Sequence, residues 1–198
     1  MILYRMFGER RTGFYVDVGA HHPVRFSNTY FFYRRGWHGI NLEPNPATAA
    51  RFRQLRRRDL NLSVGVAEVP SVMNYYCFNE PALNTFDEPL ARRRVAETQC
   101  RIERTIPIEV KRLDTILARH LPPGTSIDFL SVDVEGLDLS VLRSNDWSRF
   151  RPYCVLAEAL ESSIERISGL DLYHYMNQQG YELFAKTFNT LFFTDRRR

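Results

Sequence analysis

The fold is decided by one stretch, Phe14-Tyr15-Val16-Asp17-Val18-Gly19-Ala20, in which an apolar, β-forming run ends in an acid and a glycine. A second apolar run, Gly39-Ile40-Asn41-Leu42, ends in Glu43. Consecutive parallel strands that end side by side define the ligand crevice of an open α/β sheet. A glycine there lets the backbone approach a ligand, and a carboxylate accepts hydrogen bonds from both hydroxyls of a ribose. The pair therefore predicts an adenosine-type cofactor on a doubly wound α/β fold, and favours an enzyme over a scaffold.

The composition is that of a globular protein in a reducing compartment. The 198 residues are 44% apolar and 25% charged, which fits one domain of ordinary size. No apolar run approaches the ~20 residues needed to span a bilayer, and the first residues lack the pattern of a signal peptide. The three cysteines are scattered without metal-binding spacing. We therefore expect a single cytoplasmic domain over residues 1–198, without a zinc site.

Arginine supplies nearly all of the positive charge, and the formal net charge is +4. Arginines cluster at 56–58, 92–94 and 196–198. Such clusters either contact phosphate or nucleic acid or form a solvated face. Because they lack interleaved aromatic residues of the kind that stack on bases, the solvated face is favoured and a nucleic-acid partner is not expected.

Strands alternate with helices along most of the chain, as in a parallel sheet covered by helices on both faces. Strands are predicted at 14–18, 38–43, 60–67, 127–133 and 154–157, and helices at 28–35, 46–58, 115–120, 138–144 and 171–179. A final antiparallel pair, 181–187 and 191–194, is joined at Asn189-Thr190 and completes the sheet or supports a homodimer through Leu191-Phe192-Phe193. Residues 70–110 break the pattern and predict an inserted β-hairpin with a loop over the substrate entrance.

Acidic residues stand at the ends of four of the predicted strands, at the edge where ligands bind. They are Asp17, Glu43, Asp133 and Glu158, with Glu135 just beyond the turn. Each acid alone is better explained as a helix cap or a surface charge. Four together indicate a site, because buried carboxylates need partners.

The first loop lacks the glycines of a dinucleotide fingerprint, since Ala20-His21-His22-Pro23 follows Gly19. It therefore cannot wrap closely around a pyrophosphate. A cofactor with an adenosine but no phosphate fits better, and S-adenosylmethionine is that cofactor. Hydroxyls such as those of Ser27 or Thr29 are candidates to hold its amino-acid end.

Five blocks occur in order along the chain. They are Phe14-Tyr-Val-Asp-Val-Gly-Ala20, Arg25-Phe-Ser-Asn-Thr-Tyr30, Gly36-Trp-His-Gly-Ile-Asn-Leu-Glu-Pro-Asn45, Arg112-Leu-Asp-Thr-Ile116 and Asp128-Phe-Leu-Ser-Val-Asp-Val-Glu-Gly136. Together they resemble successive motifs of the FkbM family of S-adenosylmethionine-dependent methyltransferases. The resemblance implies a class I methyltransferase (Rossmann-like) fold, with a doubly wound, mostly parallel seven-stranded sheet, a C-terminal antiparallel hairpin and the inserted β-hairpin. It also implies O-methylation, often of sugars or natural products.

The resemblance further implies roles for particular residues. Asp17, Gly19 and Ala20 would line the methionine end of the cofactor, Glu43 would hold the ribose, and residues 65–67 would border the adenine. The expected cofactor-binding set is Asp17, Gly19, Ala20, His21, Ser27, Asn28, Glu43, Pro44, Val66, Ala67 and Asp133. The family often carries a His shortly after the acid of the fifth strand, whereas Ala159-Leu160 follows Glu158 here.

Methyl transfer to a hydroxyl requires that the oxygen be aligned and its proton removed. The candidate bases are Asp133, His22, His21 and Glu135, with Asp133 placed first because it lies beside the expected methyl group. Asp133 alternatively only caps the turn that follows it. The competing route to an activated hydroxyl is a divalent cation such as Mg²⁺, held by Asp133, Glu135 and Glu158, which would lower the pKa of the hydroxyl.

Four functions compete. The leading hypothesis is an O-methyltransferase acting on a sugar, a glycan or a natural-product small molecule. The alternatives are a nucleic-acid 2′-O- or base methyltransferase, a nicotinamide oxidoreductase, which the missing glycines disfavour, and a non-catalytic partner protein that binds the cofactor or nothing. The aromatic residues of the inserted region, Tyr75, Tyr76, Phe78 and Phe86, are candidates to stack on the acceptor.

Overall fold

The structure is a computed structural model that describes residues 2–160 and 163–197. Within these residues ten strands form two sheets. The strands are β1 Phe14–Val18, β2 His38–Leu42, β3 Leu60–Leu62, β4 Gly65–Val66, β5 Ser71–Phe78, β6 Ile102–Lys111, β7 Phe129–Val132, β8 Cys154–Glu158, β9 Tyr181–Lys186 and β10 Thr190–Asp195. The large sheet has the order β3-β2-β1-β7-β8-β10-β9. This confirms the predicted seven-stranded α/β sheet.

Five strands of the large sheet are parallel, and β10 is antiparallel to both of its neighbours. The strand order reverses on either side of β1, because the chain builds β2 and β3 on one side and β7 and β8 on the other. Ligands bind at such a switch point in open α/β sheets. Leu191 and Phe193 are buried within β10, so this segment completes the sheet, as one of the two predicted alternatives states.

The small sheet has the order β4-β6-β5, and its β5–β6 pair is the antiparallel hairpin predicted for the inserted region. The predicted continuous strand over 60–67 is wrong. The chain leaves the large sheet after Leu62, and β4 joins β6 of the small sheet instead. The two short strands thus link the inserted region to the edge of the large sheet.

Seven helices accompany these strands in the described parts of the chain. They are α1 Ile2–Phe7, α2 Tyr30–Arg34, α3 Pro46–Leu55, α4 Glu88–Glu97, α5 Leu113–His120, α6 Asp138–Arg143 and α7 Asp171–Gln178. Two of them, α1 and α4, were not predicted. The N-terminus of α4 is capped by the Asp87 side chain, which accepts a hydrogen bond from the backbone N–H of Leu90.

The central strands of the large sheet are buried on both faces. Along β1, Tyr15 packs on one face with Phe7, Trp37 and Phe129, whereas Val16 belongs to the apolar core on the other face. A strand covered on both faces is fixed in register, since a slip by one residue would reverse every side chain. The carboxyl ends of β1, β2 and β7 are therefore held at one edge.

None of the helices in the described residues is long and apolar enough to cross a membrane.

Candidate functional site

Gly19 brings the loop after β1 against the loop after β7. Its φ is +77°, and a Cβ at this position would lie 1.8 Å from the backbone oxygen of Asp133. Its N–H and that of Ala20 both donate to the carbonyl of Leu42, at 3.0 and 3.2 Å. Three strand ends therefore meet at this glycine, and a side chain there would force them apart.

Glu43, at the end of β2, points into the protein and is only 4% exposed. Its Oε2 accepts the backbone N–H of His21 and its Oε1 accepts that of Asn45, both at 2.8 Å. Burial nevertheless raises the pKa of this carboxyl to about 8. A carboxylate has about four acceptor positions, so Glu43 keeps capacity to accept hydroxyl donors from a ligand.

A cleft at this edge has two adjoining compartments, which share Gly19, His21, Ala82, Asp133 and Glu135. The Glu43 compartment spans about 450 Å³ when the space open to solvent is counted. Its other lining residues are Glu43, Pro44, Thr48, Tyr75, Pro81, Asn84, Phe86 and Val134. The Asp17 compartment spans about 520 Å³, counted in the same way. Its other lining residues are Asp17, Ala20, Phe26, Ser27, Asn28 and Ser131.

Most of the residues predicted for the cofactor site line this cleft, and two do not. Val66 and Ala67 are buried in and beside the small sheet, where Ala67 packs with Tyr75 and Phe86. Two candidate catalytic or metal-binding residues line other pockets. His22 lines a neighbouring pocket. Glu158 lines a depression beside α6 and α7, although its carboxylate reaches those of Asp133 and Glu135 at the end of β7.

Tyr75 and Phe86 lie on the wall of the Glu43 compartment, with ring centroids 4.6 Å apart. The sequence singled out these rings for acceptor stacking, whereas the structure places them in the same compartment as the candidate ribose-binding carboxylate. Tyr76 and Phe78 are not among the residues that line the cleft.

A buried polar network of Thr29 and Arg56 positions the carboxylate of Asp17. Its Oδ2 accepts the hydroxyl of Thr29 at 2.8 Å, and the same hydroxyl oxygen accepts a guanidinium N–H of Arg56 at 2.8 Å. Burial raises the pKa of Asp17 to about 6, while Thr29 and Arg56 act in the opposite direction. The network therefore favours the charged form of Asp17.

Arg56 is fully buried, so neither a solvated face nor a nucleic-acid contact describes it. Its Nε donates to Asp59 at 2.9 Å, and its other nitrogens donate to the carbonyl of Pro23 and the hydroxyl of Tyr15. Its neighbours Arg57 and Arg58 are exposed. In the last predicted cluster, Arg196 donates to Asn177, and Arg198 lies outside the described residues.

Acidic groups crowd the end of β7. Ligand atoms of Asp133, Glu135 and Glu158 all lie within 4.8 Å of one another. Asp133 is exposed to the cleft, yet the surrounding walls displace water, and burial together with Glu135 and Asp17 raises its pKa to about 7. Burial and the neighbouring acids likewise raise the pKa of Glu158 to about 8.

Arg94 of α4 forms an ion pair with Glu135. The φ of Glu135 is +55°, and its carbonyl accepts the hydroxyl of Thr85 at 2.7 Å. Two residues of the inserted region, Thr85 and Arg94, therefore hold this strained turn in place. No local sequence signal identified Arg94, because its partner lies in a distant segment of the chain.

Comparison with known proteins gives a consistent result. The model of the methyltransferase FkbM domain matches residues 17–183. The fold is similar to the crystal structure of the methyltransferase FkbM from Methylobacillus flagellatus KT, with a TM-score of 0.56 and 17% sequence identity. The alignment covers 92% of this chain and 44% of that one, so this chain spans less than half of that protein's length. The comparison with curated proteins gave no match. Because the family model covers most of the chain, the protein belongs to the FkbM methyltransferase family.

Proposed function

We propose that this protein is an S-adenosylmethionine-dependent O-methyltransferase whose acceptor is a hydroxyl of a sugar, a glycan or a natural-product small molecule. Family membership supports methyl transfer. The observation that carries the cofactor assignment is the buried Glu43 carboxylate, which lines a cleft together with Gly19 and Asp133. A buried acid at the end of the second strand is suited to accept both hydroxyls of a ribose.

The residues of the cleft fit such a cofactor along its length. Glu43 would accept the ribose hydroxyls, and the rings of Tyr75 and Phe86 supply an apolar wall in the same compartment. In the other compartment, Asp17 and the Ser27 hydroxyl are suited to a cationic amino group, because one is an anionic acceptor and the other a neutral one. We therefore assign the adenosine to the Glu43 compartment and the amino-acid end to the Asp17 compartment.

The bound cofactor supplies an activated methyl group, so the protein has to orient the acceptor and remove one proton. Asp133 is the base in this proposal. It faces the cleft, and a pKa of about 7 suits a group that must take up a proton near neutral pH. Glu135 is less suited because Arg94 neutralises it, and His22 lies in the neighbouring pocket.

A divalent cation on Asp133, Glu135 and Glu158 is the competing route for activating the hydroxyl. Carboxylate oxygens are appropriate ligands for Mg²⁺. However, Arg94 already pairs with Glu135, and its positive charge would oppose a cation bound to the same carboxylate. We therefore favour the route without a metal and test the other directly.

The nucleic-acid alternative has weaker support. It rests on the arginine clusters, yet Arg56 is buried and Arg94 is paired with Glu135. Neither of these two arginines is therefore free on the surface to contact a nucleic acid.

The catalytic proposal is tested by transfer of a labelled methyl group from S-adenosylmethionine to a panel of sugars and hydroxylated small molecules, with EDTA and with Mg²⁺. Asp133→Asn should lower kcat by about 10²–10⁴-fold. Asp146→Asn is the matched control, because Asp146 is exposed and only caps a turn with Ser148. Activity retained in Asp133→Asn refutes this base, and activity abolished by EDTA supports the metal route.

A further inference from the structure

A basic pocket adjoins the cleft on its His21 side. It spans about 860 Å³ when the space open to solvent is counted. The residues that give it its character are His22, Arg25, Phe26, Arg51 and Glu80. The pocket adjoins the Glu43 compartment, because His21, Thr48 and Pro81 line both. A ligand in this pocket is therefore next to the cleft in which we propose methyl transfer.

The two arginines give the pocket a positive field. Both are exposed, and neither guanidinium forms an ion pair with an acid among residues 2–160 and 163–197. Each also contributes, after burial, to the lowered pKa of His22, so both charges lie near the same imidazole. Glu80 is the single acid among the residues that line the pocket. Unpaired arginines converging on a concave surface suit an anion that accepts bidentate hydrogen bonds.

Phe26 stands at the boundary between the basic pocket and the Asp17 compartment, since it lines both. Its side chain is 82% exposed and its φ is +56°, an unfavourable combination for a bulky residue. The His22 ring holds the loop in this shape, because Nδ1 accepts the backbone N–H groups of Val24 and Arg25 at 3.1 and 2.9 Å. Strain of this kind is typical of functional loops. The Arg25 guanidinium carbon lies 5.5 Å from the centre of the Phe26 ring, over one of its faces, so the opposite face is the one that a ligand would stack on.

From this arrangement we infer that the basic pocket binds a phosphate group of the methyl acceptor, and that the acceptor's ring packs against Phe26. The inference rests on the proposed function, since it supposes that the adjoining cleft holds S-adenosylmethionine. That cofactor has no phosphate, so a phosphate site beside it belongs to the acceptor. The chemical class is a phosphorylated sugar or a sugar nucleotide.

The test is calorimetric titration of the full chain, with and without saturating S-adenosylhomocysteine. The probes are two matched pairs, glucose 1-phosphate with glucose and UMP with uridine. We expect the phosphorylated member of at least one pair to bind at least about tenfold more tightly. Arg25→Gln and Arg51→Gln should each remove about tenfold of that difference. Arg53 is exposed, lies in α3 like Arg51, and does not line the pocket. Arg53→Gln should therefore leave the difference in affinity unchanged. Phe26→Ala should weaken both members of the pair that binds.

Several results would overturn the inference, and all but the last are distinct from failure of the proposed function. Equal affinity for both members of each pair would remove the phosphate site while leaving S-adenosylhomocysteine binding intact. A loss of S-adenosylhomocysteine affinity in Arg25→Gln or Arg51→Gln as large as the loss for phosphate would assign the pocket to the cofactor's carboxylate. An oligouridylate bound far more tightly than UMP would favour a nucleic-acid acceptor. Phosphate binding in a protein that does not bind S-adenosylhomocysteine would refute the proposed function and the acceptor role together.

Discussion

Replacing Arg56 by Met should lower the free energy of unfolding by about 3–5 kcal/mol, because it leaves the buried carboxylate of Asp59 without its counter-ion. The Arg56 and Asp59 side chains are both fully buried, with Nε and Oδ2 2.9 Å apart. Met keeps much of the aliphatic length of Arg56 but removes the guanidinium, whose central carbon lies 4.6 Å from the centre of the Tyr33 ring and 6.0 Å from that of the Phe52 ring. The loss should therefore come mainly from the charge and its hydrogen bonds.

The magnitude follows from what remains around Asp59. Its carboxylate still accepts from the hydroxyl of Tyr15, the backbone N–H of Gly39 and the amide of Asn41. These three donors keep the loss of stability within that range. The variant should still fold, because the free energy of unfolding of natural domains is roughly 5–15 kcal/mol. Thr29 and Pro23 lose their guanidinium donor, so S-adenosylhomocysteine affinity should fall as the Asp17 loop loosens.

Urea denaturation followed by circular dichroism measures the stability change, and calorimetry measures the affinity. Arg57→Met is the matched control, because Arg57 is exposed and should change stability by no more than about 0.5 kcal/mol. The double variant Arg56→Met with Asp59→Asn should lose less than the sum of the single changes, since the stranded charge is gone. A loss below about 1 kcal/mol in Arg56→Met would show that the pair is not a buried, ionised one.

Three further predictions concern the cleft. Gly19→Ala should abolish S-adenosylhomocysteine binding and lower the melting temperature, because its Cβ meets the Asp133 backbone, whereas Gly169→Ala has open space and should do neither; equal melting temperatures in calorimetric scans would refute this. Affinity for S-adenosylhomocysteine should rise from pH 6 to pH 8.5, because the carboxyl of Glu43 has a pKa of about 8 in the free protein and hydroxyl donors favour its ionised form. Glu43→Gln should flatten this pH dependence of the affinity. The same pH dependence in Glu43→Gln as in the wild type would contradict the prediction. Arg94→Gln should leave Glu135 without its counter-ion and increase Mg²⁺ binding in calorimetric titrations, and a variant that still takes up no Mg²⁺ would argue against a latent cation site.

The edge of the sheet could be predicted because its signals are local. Short apolar runs that end in an acid mark β1, β2 and β7, and the positions of Gly19 and Glu43 follow directly. The order of the strands then follows from the rules of the doubly wound fold. These features place most of the expected cofactor-binding residues on one cleft.

The remainder depends on contacts between distant parts of the chain. Three consecutive arginines look alike in the sequence. Only Arg56 points into the interior, because Asp59 and the Tyr15 hydroxyl accept its hydrogen bonds there. Helix α4 buries only Leu90 and Ala91, so its sequence lacks a clear apolar face. The adenine-side residues expected at Val66 and Ala67 are displaced because the chain leaves the large sheet after Leu62. Tyr75 and Phe86 take the position beside Glu43 instead.

The central claim is that Glu43 holds the ribose of S-adenosylmethionine, and calorimetric titration with S-adenosylhomocysteine at pH 8, with and without Mg²⁺, tests it most directly. The account predicts micromolar binding that does not require Mg²⁺. Glu43→Ala should weaken it by about 10²-fold or more, because two hydrogen bonds to a charged group are lost. The exposed Glu97→Ala should bind like the wild type. Wild-type protein that binds no S-adenosylhomocysteine, or Glu43→Ala that binds it as tightly as the wild type, would contradict the account.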